Sequence, residues 1–245
     1  MAACDGVGPE APASGERRAA LAAALVAVRA RVARAALRAG RDPALVCLVG
    51  VSKGFGVSDA AAVFAAGLAD LGENRVPEAE RKIAALPEAR WHWIGQLQRN
   101  KASRVVGRFC LLHSVDRPEL AERLEAVAER YGAPQAVLLQ VDLAGRPGQG
   151  GVVAGGAQTL LSQVRGLPHL RVRGLMTIAP PEPDPEAVRP LFASLRALRD
   201  RLQQSGGAEL PELSMGMSGD YAVAVEEGAT LVRVGRAIFG AARPV

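Results

Sequence analysis

Eight short aliphatic runs alternate with longer stretches of helical periodicity through this chain, and no other feature constrains the fold as tightly. The runs lie at 45–51, 68–71, 90–94, 109–113, 136–141, 172–177, 212–215 and 230–234. Between them the helical stretches are 59–66, 75–85, 118–131, 158–165, 186–204 and 219–227, and a further helix at 18–38 precedes the first run. Gly40, Gly67, Gly132, Gly206 and Gly228 stand where helices should stop, and Pro118 and Pro185 where helices should start. Strands joined by helical crossovers run parallel. Eight of them over about 200 residues predict a single closed (β/α)8 barrel of the TIM type. An open doubly wound sheet would have fewer strands and a glycine-rich phosphate loop directly after the first one. Here the first strand ends in Val51-Ser52-Lys53, with no such loop. Hydrophobic residues make up 49% of the chain but aromatics only 4%, so the core must be built from Ala, Val, Leu and Ile, which suits barrel strands and their covering helices.

Residues 1–16 are rich in Pro, Gly and Ala and lack the basic segment and apolar core of a signal peptide. They are expected to form a disordered tail, followed by a barrel domain at 17–245. The Ala-rich stretch beyond them carries Arg29 and Arg31 and is no membrane span, so a cytoplasmic location is expected. The formal charge of +5 raises the question of nucleic acid. The basic residues are nearly all arginines set among acids on expected helices, as with Arg29, Arg31, Arg34 and Arg38 or Arg196, Arg199 and Arg201. A solvated helix face accounts for them, and no zinc-finger, homeodomain or RNP-type pattern accompanies them, so no nucleic-acid partner is expected. Cys4, Cys47 and Cys110 have spacings that fit neither a metal knuckle nor a disulfide framework. Cys47 and Cys110 lie in apolar runs and are expected to be buried packing residues. With three histidines in the chain, no His/Cys zinc site is expected.

In a parallel barrel the functional side chains project from the carboxyl ends of the strands. Those ends read Lys53, then Gly72-Glu73-Asn74, Gly95-Gln96-Leu97-Gln98 and Ser114-Val115-Asp116. The second half gives Gln140-Val141-Asp142, Gly174-Leu175-Met176, Ser214-Met215-Gly216-Met217-Ser218 and Arg233-Val234-Gly235-Arg236. Polar and glycine residues gather there while the strand bodies stay aliphatic, which marks one rim as a binding face. A lysine at the mouth of the first strand is expected to be partly desolvated, and a neutral amine can attack an aldehyde. The same position suits a lysine that snorkels into solvent, and position alone leaves both readings open. The loops after the last two strands offer hydroxyls, small residues and N–H groups at helix starts, as a barrel phosphate site requires; a glycine-rich turn without a ligand is the alternative. Arg233, if it points inward, needs an acceptor such as a ring nitrogen or a carboxylate; if outward, it pairs with a helix acid.

Together these strand ends resemble the pyridoxal phosphate homeostasis protein family, whose fold is the barrel domain of alanine racemase. The resemblance runs from Leu45 to Gly240. It is carried by Val51-Ser52-Lys53, Gly72-Glu73-Asn74, Trp91-His92-Trp93-Ile94-Gly95-Gln96-Leu97-Gln98 with Asn100-Lys101, and His113-Ser114-Val115-Asp116. Later blocks are Gly174-Leu175-Met176, Leu213-Ser214-Met215-Gly216-Met217-Ser218 with Asp220, Arg233-Val234-Gly235, and Ile238-Phe239-Gly240. Any one block is weak, whereas eight in order at the right spacing are specific. The resemblance implies pyridoxal 5′-phosphate (PLP) held as an imine on Lys53. It implies that Ser214, Ser218, Gly235 and Arg236 hold the phosphate, that Arg233 lies near the ring nitrogen, and that Asn74, His92 and Met176 line the cofactor pocket. An arginine beside the pyridine nitrogen keeps that nitrogen unprotonated and weakens the cofactor as an electron sink.

The chain departs from the family pattern in three places. Arg236 stands where a threonine is usual, and its charge is expected to reinforce phosphate binding. Pro77 stands where a glutamine usually follows Glu-Asn, and it should start the next helix. After Gln140-Val141 an acid and a lysine are usual, where this chain has Arg146 and Gln149 in a glycine-rich run that is expected to be mobile. Alanine racemase also needs a second base, a tyrosine supplied by an additional β domain and a partner subunit. This chain ends at Val245, just past Gly240, so that domain is expected to be absent. Its own tyrosines are Tyr131, in a helix, and Tyr221, one turn into the helix after the phosphate loop. The resemblance thus implies a non-catalytic, monomeric carrier that buffers PLP or delivers it to PLP-dependent apoenzymes and affects amino-acid and keto-acid balance. The competing readings are a PLP-dependent racemase or lyase acting on a small amino acid, and an aldolase-like barrel whose lysine takes a sugar phosphate without cofactor.

Overall fold

Each of the eight aliphatic runs forms a strand in the computed structural model, which describes residues 12–146, 148–206 and 209–241. The strands are β1 Cys47–Val51, β2 Asp70–Glu73, β3 Arg90–Trp93, β4 Leu111–Val115, β5 Gln135–Asp142, the short β6 Val152–Val153, β7 Leu170–Met176, β8 Glu212–Ser214 and β9 Leu231–Val234. All pairings are parallel, in the order β4-β3-β2-β1-β9-β8-β7-β5, and β4 pairs with β5 as well. That last pairing closes the sheet and excludes the open doubly wound alternative. β6 pairs with the end of β5 and lies outside the barrel wall; two residues are too few to show a strand period in sequence.

The helices are α1 Gly15–Arg38, α2 Val57–Ala65, α3 Val76–Ala85, α4 Ala102–Val105, α5 Pro118–Tyr131, α6 Ala157–Arg165, α7 Arg189–Gly206, α8 Tyr221–Glu226 and α9 Arg236–Phe239. α4 and α9, about one turn each, are the two that sequence periodicity did not yield. The expected start of the seventh helix is instead a 3-10 turn, Pro185–Val188. Residues 1–11 of the expected tail, Cys4 among them, lie outside the described residues, and α1 begins already at Gly15, where the Ser14 hydroxyl accepts from the Arg17 amide at 3.2 Å.

α1 is not part of the βα repeat, and its apolar stripe explains where it docks. Leu21, Leu25, Val28 and Val32 recur every three or four residues and are buried, as are Ala35 and Ala36. The stripe packs on α8, α2 and α9, covering the seam where the last strand meets the first. Arginines expected to be merely solvated tie this layer together. Arg17 binds Asp59 at 2.9 Å and the Phe239 carbonyl at 2.9 Å, Arg38 binds Glu226, and Arg189 reaches Glu186, Glu226 and Glu227. Each exposed pair adds little on its own, but the guanidinium fork spans two helices where a hydrated lysine would not.

The cysteines depart from expectation. Cys110 is exposed, one residue before β4 on the amino-terminal rim, and Cys47 is half-buried. Inside the barrel Val49, Leu111, Leu138, Met176 and Leu231 form a small apolar cluster, separate from the large core between sheet and helices. Gly174 marks the tightest backbone approach in the wall. A Cβ there would lie 1.9 Å from the Glu212 carbonyl oxygen of β8, beside the register shift between β5 and β7. Gly174→Ala must therefore push β7 and β8 apart against their hydrogen bonds, and it should cost about 3 kcal/mol or more in urea unfolding. A cost below about 1 kcal/mol would contradict that close approach.

Candidate functional site

At the mouth of the barrel, Lys53 from the end of β1 meets residues from the ends of β8 and β9 around a cavity of about 410 Å3, within the range of small-ligand sites. Arg233 lies in β9 and points inward, buried, so the outward alternative for it falls away. Gly235 and Arg236 follow at the start of α9, and Ser218 comes from the loop after β8. All five line the cavity, together with the proline-rich segment after β7 that contributes Pro181, Glu182 and Pro185. Lys53 is exposed, so the partial desolvation expected from its strand end is not met: the chain turns outward one residue past the fully buried Ser52.

Four residues expected at the cofactor are not among the cavity walls. Asn74 follows β2, half-buried, with an amide oxygen that is buried and has no partner. Met176 belongs to the interior apolar cluster. His92 and Ser214 are buried in the barrel interior and hydrogen-bonded there.

The loop after β8 owes its shape to Gly216. Its φ is +92°, and a Cβ at this position would lie 2.5 Å from that of Ala224, so no side chain fits. The Gly216 carbonyl accepts from the Arg233 amide at 3.0 Å, and the Ser218 hydroxyl accepts from the Ala237 amide at 3.2 Å. The two loops that would meet an anion are thereby fastened to each other.

Below the cavity a chain of polar contacts crosses the interior. Arg233 donates to the Thr177 carbonyl at 2.8 Å and to the Ser214 hydroxyl. Ser214 Oγ lies 2.8 Å from His113 Nδ1, His113 Nε2 lies 3.0 Å from His92 Nδ1, and His92 Nε2 lies 3.0 Å from Asp70 Oδ1. Arg90 donates to the same carboxylate at 2.8 Å. Burial lowers the Arg233 guanidinium to about 10. Burial, with His92 and Arg233 adding to it, holds His113 well below the usual histidine range and so neutral. For Asp70, burial pushes the carboxyl up, but hydrogen bonds from His92 and Arg90 outweigh it and hold the group near 2.

Behind Lys53 lies an arrangement that sequence reasoning missed. Lys82, from α3, is 1% exposed. Its ammonium donates to Glu73 at 2.5 Å, to Glu78 at 2.8 Å and to the Ser52 carbonyl at 2.7 Å. The Ser52 hydroxyl donates to Glu73 at 2.6 Å, and Glu78 accepts from the Gly54 amide at 2.7 Å. The peptide groups on both sides of Lys53 are thus held by one buried ion cluster. Burial pushes the Glu73 carboxyl up, and Lys82 only partly offsets it. The one sequence signal was the Glu78–Lys82 spacing of four on a helix, which ordinarily marks a solvated pair.

The glycine-rich run after β5, expected to be mobile, is tied to its surroundings by hydrogen bonds at Gln149, Gly150 and Gly151. Gln140 donates to the carbonyls of Gln149 (3.1 Å) and Gly150 (3.0 Å), Gln149 donates to the Ile178 carbonyl at 2.7 Å, and Asp116 accepts from the Gly151 amide at 3.2 Å. Pro77 takes one of the first two positions of α3, as expected of a helix start. Neither tyrosine lines the cavity: Tyr221 is buried under α1 with the Arg31 guanidinium 5.4 Å from its ring, and Tyr131 lies against Gly107 and donates to its carbonyl.

The alanine racemase N-terminal domain family matches residues 24–243. A relative from Aquifex aeolicus named pyridoxal phosphate homeostasis protein is 42% identical over 212 residues, covering 86% of this chain and 93% of its own. One of the same name from Pseudomonas aeruginosa is 42% identical over 216 residues, covering 87% and 92%. Among solved structures, PipY of Synechococcus elongatus with PLP bound is 38% identical with a TM-score of 0.80, and it is matched over 90% of this chain and 100% of its own. The form without PLP gives 0.81 at 39% identity, with the same shares covered.

Two outcomes follow from the buried charges. Lys82→Met leaves Glu73 buried without its counter-ion and should cost about 3–5 kcal/mol in urea unfolding; a loss under about 1 kcal/mol would mean that the cluster is not holding the β1 end. Asp70 has its folded value depressed below 3.8, so the stability it contributes is present above that value and is lost as pH falls toward about 2. Wild-type stability should therefore fall more steeply than that of Asp70→Asn between about pH 4.5 and pH 2, and equal slopes would contradict this.

Proposed function

This chain belongs to the alanine racemase N-terminal domain family, with the pyridoxal phosphate homeostasis proteins, and we propose that it binds PLP at the barrel mouth as an imine on Lys53 in order to store it and pass it on. The observation that carries the reading is the meeting around one cavity of an accessible amine, a buried guanidinium, and the Ser218 and Gly235–Arg236 loops.

The residues present fit the group. An exposed Lys53 amine can reach an aldehyde, and its backbone is held on both sides by the Lys82 cluster. A phosphate suits Ser218, the start of α9 and the charge of Arg236, which pairs with charged oxygens better than a threonine would. Arg233 spends two of its N–H groups on Thr177 and Ser214, both uncharged, and a pyridine nitrogen would supply a further acceptor. The unpartnered amide oxygen of Asn74 is a buried polar atom that a ligand donor would relieve. Ser214 and His92 are already hydrogen-bonded in the interior, so in this reading they stand behind Arg233, with Met176 packing below. When bound, the cofactor supplies an aldehyde for imine exchange and an electron-poor ring.

Support for storage over catalysis comes from the residues around that ring. An arginine-paired ring nitrogen makes a weak electron sink, and no tyrosine lines the cavity among the described residues. Lys53 opens to solvent, as handing the aldehyde to a PLP-dependent apoenzyme requires. Every group named comes from one chain, so we take the monomer as the working unit. We place it in the cytosol, which suits the two free thiols Cys47 and Cys110; no described helix is long and apolar enough to cross a membrane.

The test is spectroscopic. PLP added to the purified chain should give a visible imine band, and Lys53→Ala should abolish it with the circular dichroism unchanged; a persisting band would contradict the assignment. The saturated protein in deuterated water should leave the α-hydrogen of the common amino acids unexchanged. Exchange would favour a racemase or lyase instead.

A further inference from the structure

We propose that Asp70, His92 and His113 are positioning residues: they form a one-way chain of hydrogen bonds through the barrel interior that fixes the Ser214 hydroxyl and, through it, the aim of Arg233 into the cavity. The purpose of the chain rests on the cofactor reading given above, but its proton arrangement does not.

The two ends of the chain decide its direction. A guanidinium can only donate, and an ionised carboxylate can only accept. Asp70, ionised and also bound by Arg90, takes the His92 Nε2 proton. A neutral His92 then has a bare Nδ1, so the contact of 3.0 Å to His113 requires the proton on His113 Nε2. His113 in turn has a bare Nδ1, and the Ser214 hydroxyl at 2.8 Å must donate to it. The lone pairs of Ser214 are left to accept from Arg233. One arrangement satisfies every contact, and in it both rings are Nε2–H tautomers. A cationic His92 would reverse both upper links. His113 and Arg233 would then both donate to Ser214, whose own proton would be left without an acceptor in a fully buried site.

The chain runs the length of the barrel. Asp70 and Arg90 line a recess of about 640 Å3 at its base, and Arg233 lines the cavity at its mouth. Val49, Leu111, Leu138 and Leu231 beside it show that apolar side chains fill this space readily. Four polar groups in succession are worth placing there only if their directions matter. With Nη1 directed at Ser214 and Nη2 at Thr177, the guanidinium cannot turn about its long axis, so its remaining donors keep one orientation.

The chain can be read without cofactor. Long-range 1H–15N spectra of the full-length protein with 15N-labelled histidine, at neutral pH, should show His92 and His113 as neutral Nε2–H tautomers. Either ring as the Nδ1–H tautomer, or as a cation, overturns the proposal even if every variant fails to fold. PLP binding reads the consequence. His113→Leu, which removes the acceptor for Ser214, should weaken the PLP dissociation constant about tenfold, as expected for one hydrogen bond to a charged group. His113→Asn, whose amide oxygen can take the place of Nδ1, should recover most of that loss. Folded His113→Leu with wild-type affinity, or an Asn variant as weak as the Leu one, would leave His113 a packing residue and overturn the proposal. Loss of the imine on wild-type Lys53 would sink the cofactor reading instead and leave the histidine tautomers as they are.

Discussion

Closure of a parallel sheet dictates most of what this molecule can do. Once β4 pairs with β5 no strand edge remains, and every strand must deliver its carboxyl end to the same rim. Lys53 is far in sequence from Ser218, Arg233 and Arg236, yet the closed topology makes β1 and β9 hydrogen-bonded neighbours and so brings the first strand end beside the last. α1 exists in this scheme because the seam between them needs covering, and its buried stripe and its arginines do that.

Within that frame the site depends on buried charge. Lys82 and Glu73 are both almost without solvent contact, and removing charges from water costs several kcal/mol each unless the partners are well placed. Such a cluster does not add much net stability; its consequence is geometric, because a buried ammonium with acceptors on three residues tolerates little displacement. The carbonyl of Ser52 is one of those acceptors, which places the root of Lys53 under the same restraint. The interior chain from Asp70 to Arg233 is buried in the same way, with two histidines and a serine between a carboxylate at the base and a guanidinium at the mouth.

Much of the fold was legible because barrel strands carry a one-dimensional signal: short branched-aliphatic runs separated by amphipathic helices. The eight strands and the longer helices could be read that way, while β6, α4 and α9 are shorter than the periods that reveal them. At the site, the location of Lys53 at a strand end was legible, but its exposure was not, since that depends on which way the turn after Ser52 leaves the sheet. The burial of Lys82 was invisible for the opposite reason: a Glu78–Lys82 pair looks the same in sequence whether its helix face meets water or the carboxyl end of β2. Ser214 and His92 were placed toward the cofactor by resemblance, and only the contacts between β3, β4, β8 and β9 reveal that His113 links them in the interior. The run around Gln149 reads as unrestrained because glycine lacks local restraint, and its tethers are not visible in sequence because Gln140, Asp116 and Ile178 stand at the ends of β5, β4 and β7.

Lys53, Lys82 and Lys101 are the chain's three lysines, and they stand in contrasting settings: one open at the mouth, one buried among carboxylates, and one in the 3-10 turn before α4. Borohydride reduction of the PLP-treated protein, followed by peptide mass mapping, separates them directly. The reduced pyridoxyl group should be recovered on Lys53. Recovery on Lys82, on Lys101 or on the amino terminus would contradict a cofactor seated at this mouth.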